Sequence, residues 1–138
     1  LLYEKELASL RQVSKEYGIR MIMSYHNFSS TPQKEEIVQK MLKAESYGAD
    51  IAKVAVMPAS PQDLLVLFHA TQEARSQLSI PLITMSMGGL GVITRLAGWM
   101  FGSAVTFAVG QNSSAPGQIP IEDLKEVLYI VQKHMFHG

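Results

Sequence analysis

One lysine and one histidine are the first residues in this chain that suggest chemistry. In Ile51-Ala52-Lys53-Val54-Ala55-Val56-Met57 a single amine sits inside an apolar run of strand length. The two-residue period of a strand puts it on one face with Ile51, Ala55 and Met57. Loss of water disfavours the ammonium form and lowers its pKa, which makes the amine able to attack a carbonyl near neutral pH. A strand-edge lysine that lays its stem on apolar surface and keeps its head in water is the plainer reading of the same pattern. His26 closes the run Met21-Ile22-Met23-Ser24-Tyr25-His26, so it too falls at the C-terminal end of an expected strand, where parallel α/β folds bind ligands. An ordinary pKa of about 6.5 lets imidazole take up a proton and return it. Alone, a histidine there reads as structural, and its significance comes from Lys53 one βαβ unit downstream.

The elements that must position these two groups follow from periodicity. Leu7, Leu10 and Val13 recur at helical spacing between Leu2 and Tyr17, and Gly18 supplies a left-handed stop. Residues 19–25 form a nearly unbroken apolar run, read as a buried parallel strand. Thr31 as cap and Pro32 as first residue open a helix through Ile37, Met41 and Leu42 to Gly48. Residues 51–57 are a second strand, and Ser60, Pro61 and Asp63 begin a helix to about Gln77. Residues 81–87 are a third strand, and a Gly-rich entry leads into a helix over residues 88–100. Residues 104–109 are a fourth strand, and Pro120, Glu122 and Asp123 begin a closing helix over residues 121–136. Four strands alternating with five helices, joined by short connections, imply right-handed parallel crossovers and an α/β fold. By length an open doubly wound sheet fits better than a closed eight-stranded barrel, which needs at least about 200 residues.

Composition narrows the partners. Hydrophobic residues make up 47% of the chain and charged residues 17%, enough apolar side chain for a core. Twelve Lys and Arg balance twelve Asp and Glu, so no basic field draws in nucleic acid or an anionic membrane. A neutral small molecule, or an anion held by one local arginine, fits better. There is no cysteine, which excludes disulfides and thiolate metal sites. No leader pattern and no apolar run of roughly 18 residues is present, and the expectation is a cytoplasmic protein. His134 and His137 near the C-terminus read as a solvated helix end, not a metal site, and His69 has no evident partner. Gly88-Gly89-Leu90-Gly91 follows a strand as phosphate loops do but lacks the spacing of either common nucleotide fingerprint.

The content of the strand ends reverses the preference for an open sheet. Residues 21–27, Met-Ile-Met-Ser-Tyr-His-Asn, resemble the signature around the catalytic histidine of the type I 3-dehydroquinate dehydratases. Residues 49–58 resemble that family's Schiff-base lysine strand, and Met85-Ser86-Met87-Gly88 with Gly91 its seventh strand and following loop. Residues 94–98 are similar to the helix with the substrate-binding arginine. Residues 101–104, Thr106-Phe107 and residues 114–118 resemble the eighth strand and its lid loop. The five segments stand in the family's order.

The resemblance implies the C-terminal half of a (β/α)8 TIM barrel, a single partial domain over residues 1–138. It implies the dehydration of 3-dehydroquinate to 3-dehydroshikimate in the shikimate pathway, without a cofactor or metal. Lys53 is then the Schiff-base nucleophile and His26 the general acid and base. Arg95 holds the substrate carboxylate, Ser114 and Gln118 bond substrate oxygens from a closing loop, and Met85 and Met87 line the pocket. The family's loop often carries a lysine where this chain has Gly89. Its first four strands, with the acidic partner of the histidine, have no counterpart here. A half barrel leaves open edges and an uncovered face, so a homodimer or a complementing N-terminal half is expected. A non-catalytic half-barrel module binding a quinate-type ligand, and an unrelated doubly wound domain, are the other readings.

Overall fold

The computed structural model describes residues 4–136, with side chains from residue 6 onward. Helix α1 spans Glu4–Glu16, strand β1 Ile22–Asn27, helix α2 Lys34–Ser46, strand β2 Ile51–Val56 and helix α3 Pro61–Gln77. Strand β3 spans Leu82–Ser86, helix α4 Val92–Ala97, a 3-10 turn Gly98–Phe101 and helix α5 Ile121–Phe136. The sheet is parallel in the order β1-β2-β3. His26 stands beside Ala55 and Ala55 beside Met85, while Ser24, Lys53 and Ile83 form the adjacent row.

Alternation along the strands separates two layers. Ala52, Val54, Val56 and Leu82 face α2 and α3, where Ile37, Val38, Met41, Leu67, Ala70 and Ala74 complete a dry core. Burying each Val, Ile, Leu or Met there stabilises the fold by roughly 1.5–3 kcal/mol. The alanines at 70 and 74, one turn apart and fully buried, let α3 approach the sheet closely. Pro61 opens α3, and the Asp63 carboxylate accepts the Ala59 N–H at 2.7 Å and the Ser60 N–H at 3.3 Å. Those bonds satisfy donors at the helix entrance.

Four expectations need correction. Among the described residues the ladder has three strands, not four. Ala104 N–H donates to the Leu82 carbonyl at 2.8 Å, but the Thr84 and Ser86 amides on that edge are taken by the Ser103 and Thr94 hydroxyls, at 3.0 and 2.9 Å. Side-chain acceptors thus occupy the donors a fourth strand would need, and residues 104–109 run on as irregular chain until Val109 bridges to Pro120. Helix α2 begins at Lys34 because Thr31 does not cap it. Its hydroxyl donates to the Met57 carbonyl at 3.0 Å, tying the exits of β1 and β2 together. The expected helix over residues 88–100 is divided: Gly88 has φ +70, the chain turns through Gly91, and only residues 92–97 are α-helical. At Gly91 a Cβ would lie 2.2 Å from the Ser86 carbonyl oxygen, so the turn folds back directly on β3. Strand β1 lies later than expected, at residues 22–27, so His26 belongs to the strand itself. Leu2 and Tyr3, included in the expected first helix, and His137 lie outside the described residues.

At the strand N-termini, Arg11 holds Asp50 through two bonds of 2.7 and 3.0 Å, and Asp50 also accepts the Met21 N–H at 2.7 Å. This bidentate pair tethers α1 at the end of the sheet away from His26.

Candidate active site

The face of the sheet opposite α2 and α3 is built differently. Its small apolar cluster comprises Ala55, Ile83, Met85 and Met87, with Ile51, Met57 and Phe107 packed against it. Toward the C-terminal ends of the strands it opens into a cavity of about 250 Å³. Six of the seven residues expected at the site line it: His26, Lys53, Met85, Met87, Ser114 and Gln118. The seventh, Arg95, is 1% exposed. Its Nη1 reaches the Met85 sulfur at 3.6 Å and its Nη2 donates to the Pro116 carbonyl at 3.1 Å.

Register explains the convergence of the first two. Lys53 and Ala55 share a face of β2, and His26 is level with Ala55 on β1, so a lysine and a histidine one row apart on adjacent strands look into the same space. Partial burial, and then the charge of Arg95, hold the Lys53 amine below its ordinary 10.5. Partial loss of water, and then the Lys53 charge, hold His26 below 6.5. Both shifts favour the neutral forms, a nucleophilic amine and a basic imidazole. The His26 ring stacks with Phe28 at 5.8 Å between centroids. No carboxylate forms a salt bridge with His26 among the described residues.

Arg95 is a buried cation at the edge of this region. Among the described residues it has no salt-bridge partner, and its Nε has no hydrogen-bond acceptor. A buried cation without a counter-ion is disfavoured by several kcal/mol, and burial pushes its pKa down. Such a group is suited to receive an anion.

The loop over the cavity is fixed at two points. The Pro116 carbonyl accepts both the Arg95 guanidinium and the Gly88 N–H, the latter at 3.2 Å. Gly117, with φ +75, sits where a Cβ would come within 2.2 Å of the Gly88 carbonyl oxygen. Inside the loop the Gln118 side-chain oxygen accepts the Ser114 N–H at 2.8 Å and the Ala115 N–H at 3.3 Å, and its amide donates to the Ser114 hydroxyl at 3.1 Å. Ser114 and Gln118 therefore face the cavity while bonded to one another.

Three contributors received no role from the sequence, although Phe107 and Pro116 lie in segments that carry the resemblance. Phe28 and Phe107 line the cavity with aromatic surface, and Pro116 contributes a backbone carbonyl. Phe107 carries a weak signal, since the alternation of Val105, Phe107 and Val109 marks one face. The Pro116 carbonyl carries none, because any residue type supplies one. His69 and His134 are exposed, and no group of three metal-binding side chains occurs among the described residues. Nor is any helix among the described residues long and apolar enough to cross a membrane.

Comparison with known proteins gives the same family from three directions. The chain matches the type I 3-dehydroquinase family over residues 2–135. Across all 138 residues it is 96% identical to a 3-dehydroquinate dehydratase of Geobacillus sp. (strain WCH70), of which it covers 53%. The crystal structure of 3-dehydroquinate dehydratase from Geobacillus kaustophilus superposes with a TM-score of 0.92 at 61% identity, covering 94% of this chain and 50% of that one. The type I enzyme from Clostridium difficile, solved with covalently modified comenic acid, superposes with a TM-score of 0.89 at 41% identity, covering 96% of this chain and 52% of that one. The chain spans about half the length of the curated relatives it matches.

Proposed function

Since this chain belongs to the type I 3-dehydroquinase family, we propose that residues 1–138 form one partial domain, the C-terminal half of a (β/α)8 barrel. The completed barrel dehydrates 3-dehydroquinate to 3-dehydroshikimate in the cytoplasm, as part of the shikimate pathway. One observation carries the reading: a partly desolvated lysine and a histidine share one cavity beside a buried arginine without a counter-ion.

In this mechanism the neutral Lys53 amine adds to the ring ketone, and loss of water with uptake of one proton, returned in the final hydrolysis, gives a protonated imine. The imine draws electrons from the neighbouring carbon, and His26 takes the proton released there. Electrons returning from the resulting enamine expel the β-hydroxyl, which leaves as water with the proton His26 holds. Water then hydrolyses the conjugated imine, freeing 3-dehydroshikimate and the amine. Imine formation releases one water and hydrolysis consumes one, so the net loss is the single water of the elimination. Arg95 pairs with the substrate carboxylate. Ser114 and Gln118 exchange their mutual bonds for bonds to substrate oxygens, and Met85 and Met87 form the apolar wall. The covalently modified comenic acid of the Clostridium difficile relative supports a reactive nucleophile in this family.

Completion of the barrel needs strands beyond those of residues 1–138. Beside β1 a groove of about 320 Å³ is lined by Leu7, Leu10, Met21 and Tyr25 among others, and Ile22 on that strand is 49% exposed. A homodimer would cover this edge but would set Lys53 and His26 opposite copies of themselves. A complementing N-terminal half is favoured because it brings new groups, including an acidic partner for His26. The second reading, a non-catalytic module that binds a quinate-type acid, draws on the absence of a carboxylate bonded to His26 among the described residues.

Borohydride reduction in the presence of 3-dehydroquinate, followed by mass mapping, separates the two. The chain is tested alone and with the half of the Geobacillus sp. (strain WCH70) relative that it does not match. An adduct on Lys53 is the expected result. Folded protein that binds the substrate without an adduct in either sample would make the module reading the correct one.

A further inference from the structure

Among the described residues, Phe107, which has no role assigned above, lies against the reacting nitrogen. The Phe107 ring lies against the Lys53 ammonium with 4.7 Å between its centroid and Nζ, and it is packed on the cluster of Ala55, Ile83, Met85 and Met87. We propose that Phe107 is a catalytic residue whose π face stabilises the cationic imine nitrogen formed on Lys53. The inference rests on the Schiff-base reading and goes beyond it by assigning the group that supports the charge.

The argument is one of magnitude. Lys53 must lose a proton to attack, yet the imine must carry a positive charge to act as an electron sink. A carboxylate against Nζ would satisfy the second requirement and defeat the first, since a close ion pair at a partly buried site holds the amine protonated. Among the described residues no carboxylate forms a salt bridge with Lys53. The negative face of an aromatic ring attracts a cation more weakly, and more strongly once water is excluded. While the site is open, burial and then the Arg95 charge hold the Lys53 amine below its ordinary 10.5, which favours the neutral nucleophile. After condensation the nitrogen is trigonal, planar and shielded by substrate, a shape that stacks on the ring. The stabilisation therefore grows along the reaction, which is the condition for it to raise the rate. Position 107 is also held well: the chain is pinned on one side by the Leu82–Ser103 bridge and on the other by the Val109–Pro120 bridge.

The test uses the chain assembled with the complementary half of the Geobacillus sp. (strain WCH70) relative. Phenylalanine at 107 is replaced by its 4-fluoro, 3,5-difluoro and pentafluoro analogues, which keep the ring's shape while withdrawing its negative face, and by Phe107→Leu and Phe107→Tyr. Borohydride traps the protonated imine by hydride addition to carbon, so the rate of Lys53 adduct formation reads the population of that cation. The expected result is a graded fall in trapping and in kcat with fluorination, reaching roughly five- to thirty-fold at pentafluoro. Leucine should fall to a similar level and tyrosine should retain most of the parent rate. Parent protein that forms the adduct, with a fluorinated series that traps equally fast, would overturn the role of Phe107 and leave the Schiff base intact. Parent protein that forms no adduct would overturn the Schiff base, and this inference with it. A lowered melting temperature with unchanged trapping would assign Phe107 to packing alone.

Discussion

The two faces of β2 differ by a single residue step and obey opposite rules. Ala52, Val54 and Val56 face α2 and α3 in a buried, mostly apolar layer whose polar groups, such as the Thr71 and Thr84 hydroxyls 2.7 Å apart, bond one another. Lys53 and Ala55 face a cavity that His26 also lines, next to a buried arginine that has no salt-bridge partner among the described residues and contacts the Met85 and Pro116 walls. The first face holds the strand in place, and the second carries groups that weaken the fold and are positioned by it. Stability and chemistry are separated by the strand's two-residue period, so a substitution on one face should leave the other's property largely intact.

The largest effect expected is from Lys53→Met. It should remove the borohydride adduct altogether while leaving the melting temperature at pH 7 equal to or above that of the parent. The folded pKa of Lys53 is depressed, so its destabilising contribution is complete below that folded value and disappears as pH rises to the ordinary 10.5. The gap in melting temperature between the two proteins should narrow over the same range, and a gap that widens with alkaline pH would contradict the desolvation of the amine.

Leu67→Ala makes the opposite test from the closed face. Leu67 is 1% exposed, and its truncation should cost about 2–5 kcal/mol in urea unfolding. The folded variant, assembled with its complementary half, should still form the Lys53 adduct at a rate near the parent's. Loss of the adduct from protein that remains folded would mean that the two faces are coupled through the sheet.

A smaller effect is expected at the loop. Gly117→Ala forces a side chain into a left-handed backbone position, at about 1–2 kcal/mol, and against the Gly88 carbonyl. Residues 110–118 should then be cleaved faster in limited proteolysis, with the core melting transition nearly unchanged. The smallest effect concerns charge. Arg95 is the second cause of the lowered Lys53 pKa, so Arg95→Gln should move the pH midpoint of Lys53 modification by an amine-reactive reagent upward. A midpoint that stays in place would leave burial as the whole cause.

Local pattern determined much of this protein. The alternation of strand and helix, the capping of α3 by Pro61 and Asp63, and the shared face of Lys53 with Ala55 all depend on residues within a few positions of each other. They are legible because period and cap are short-range properties. The five family-like segments carried the rest of the site assignment, down to Arg95, Ser114 and Gln118. Only the tertiary structure decided how the third strand's edge is closed, since the Thr84–Ser103 bond joins residues 19 apart and competes directly with a fourth strand. The Arg95–Pro116 contact joins residues 21 apart, and the seat of Phe107 against Lys53 brings a downstream segment onto β2. In each case the partner is a backbone carbonyl, a hydroxyl or a ring face that many sequences could supply. The packing of the chain in three dimensions selects which one is used.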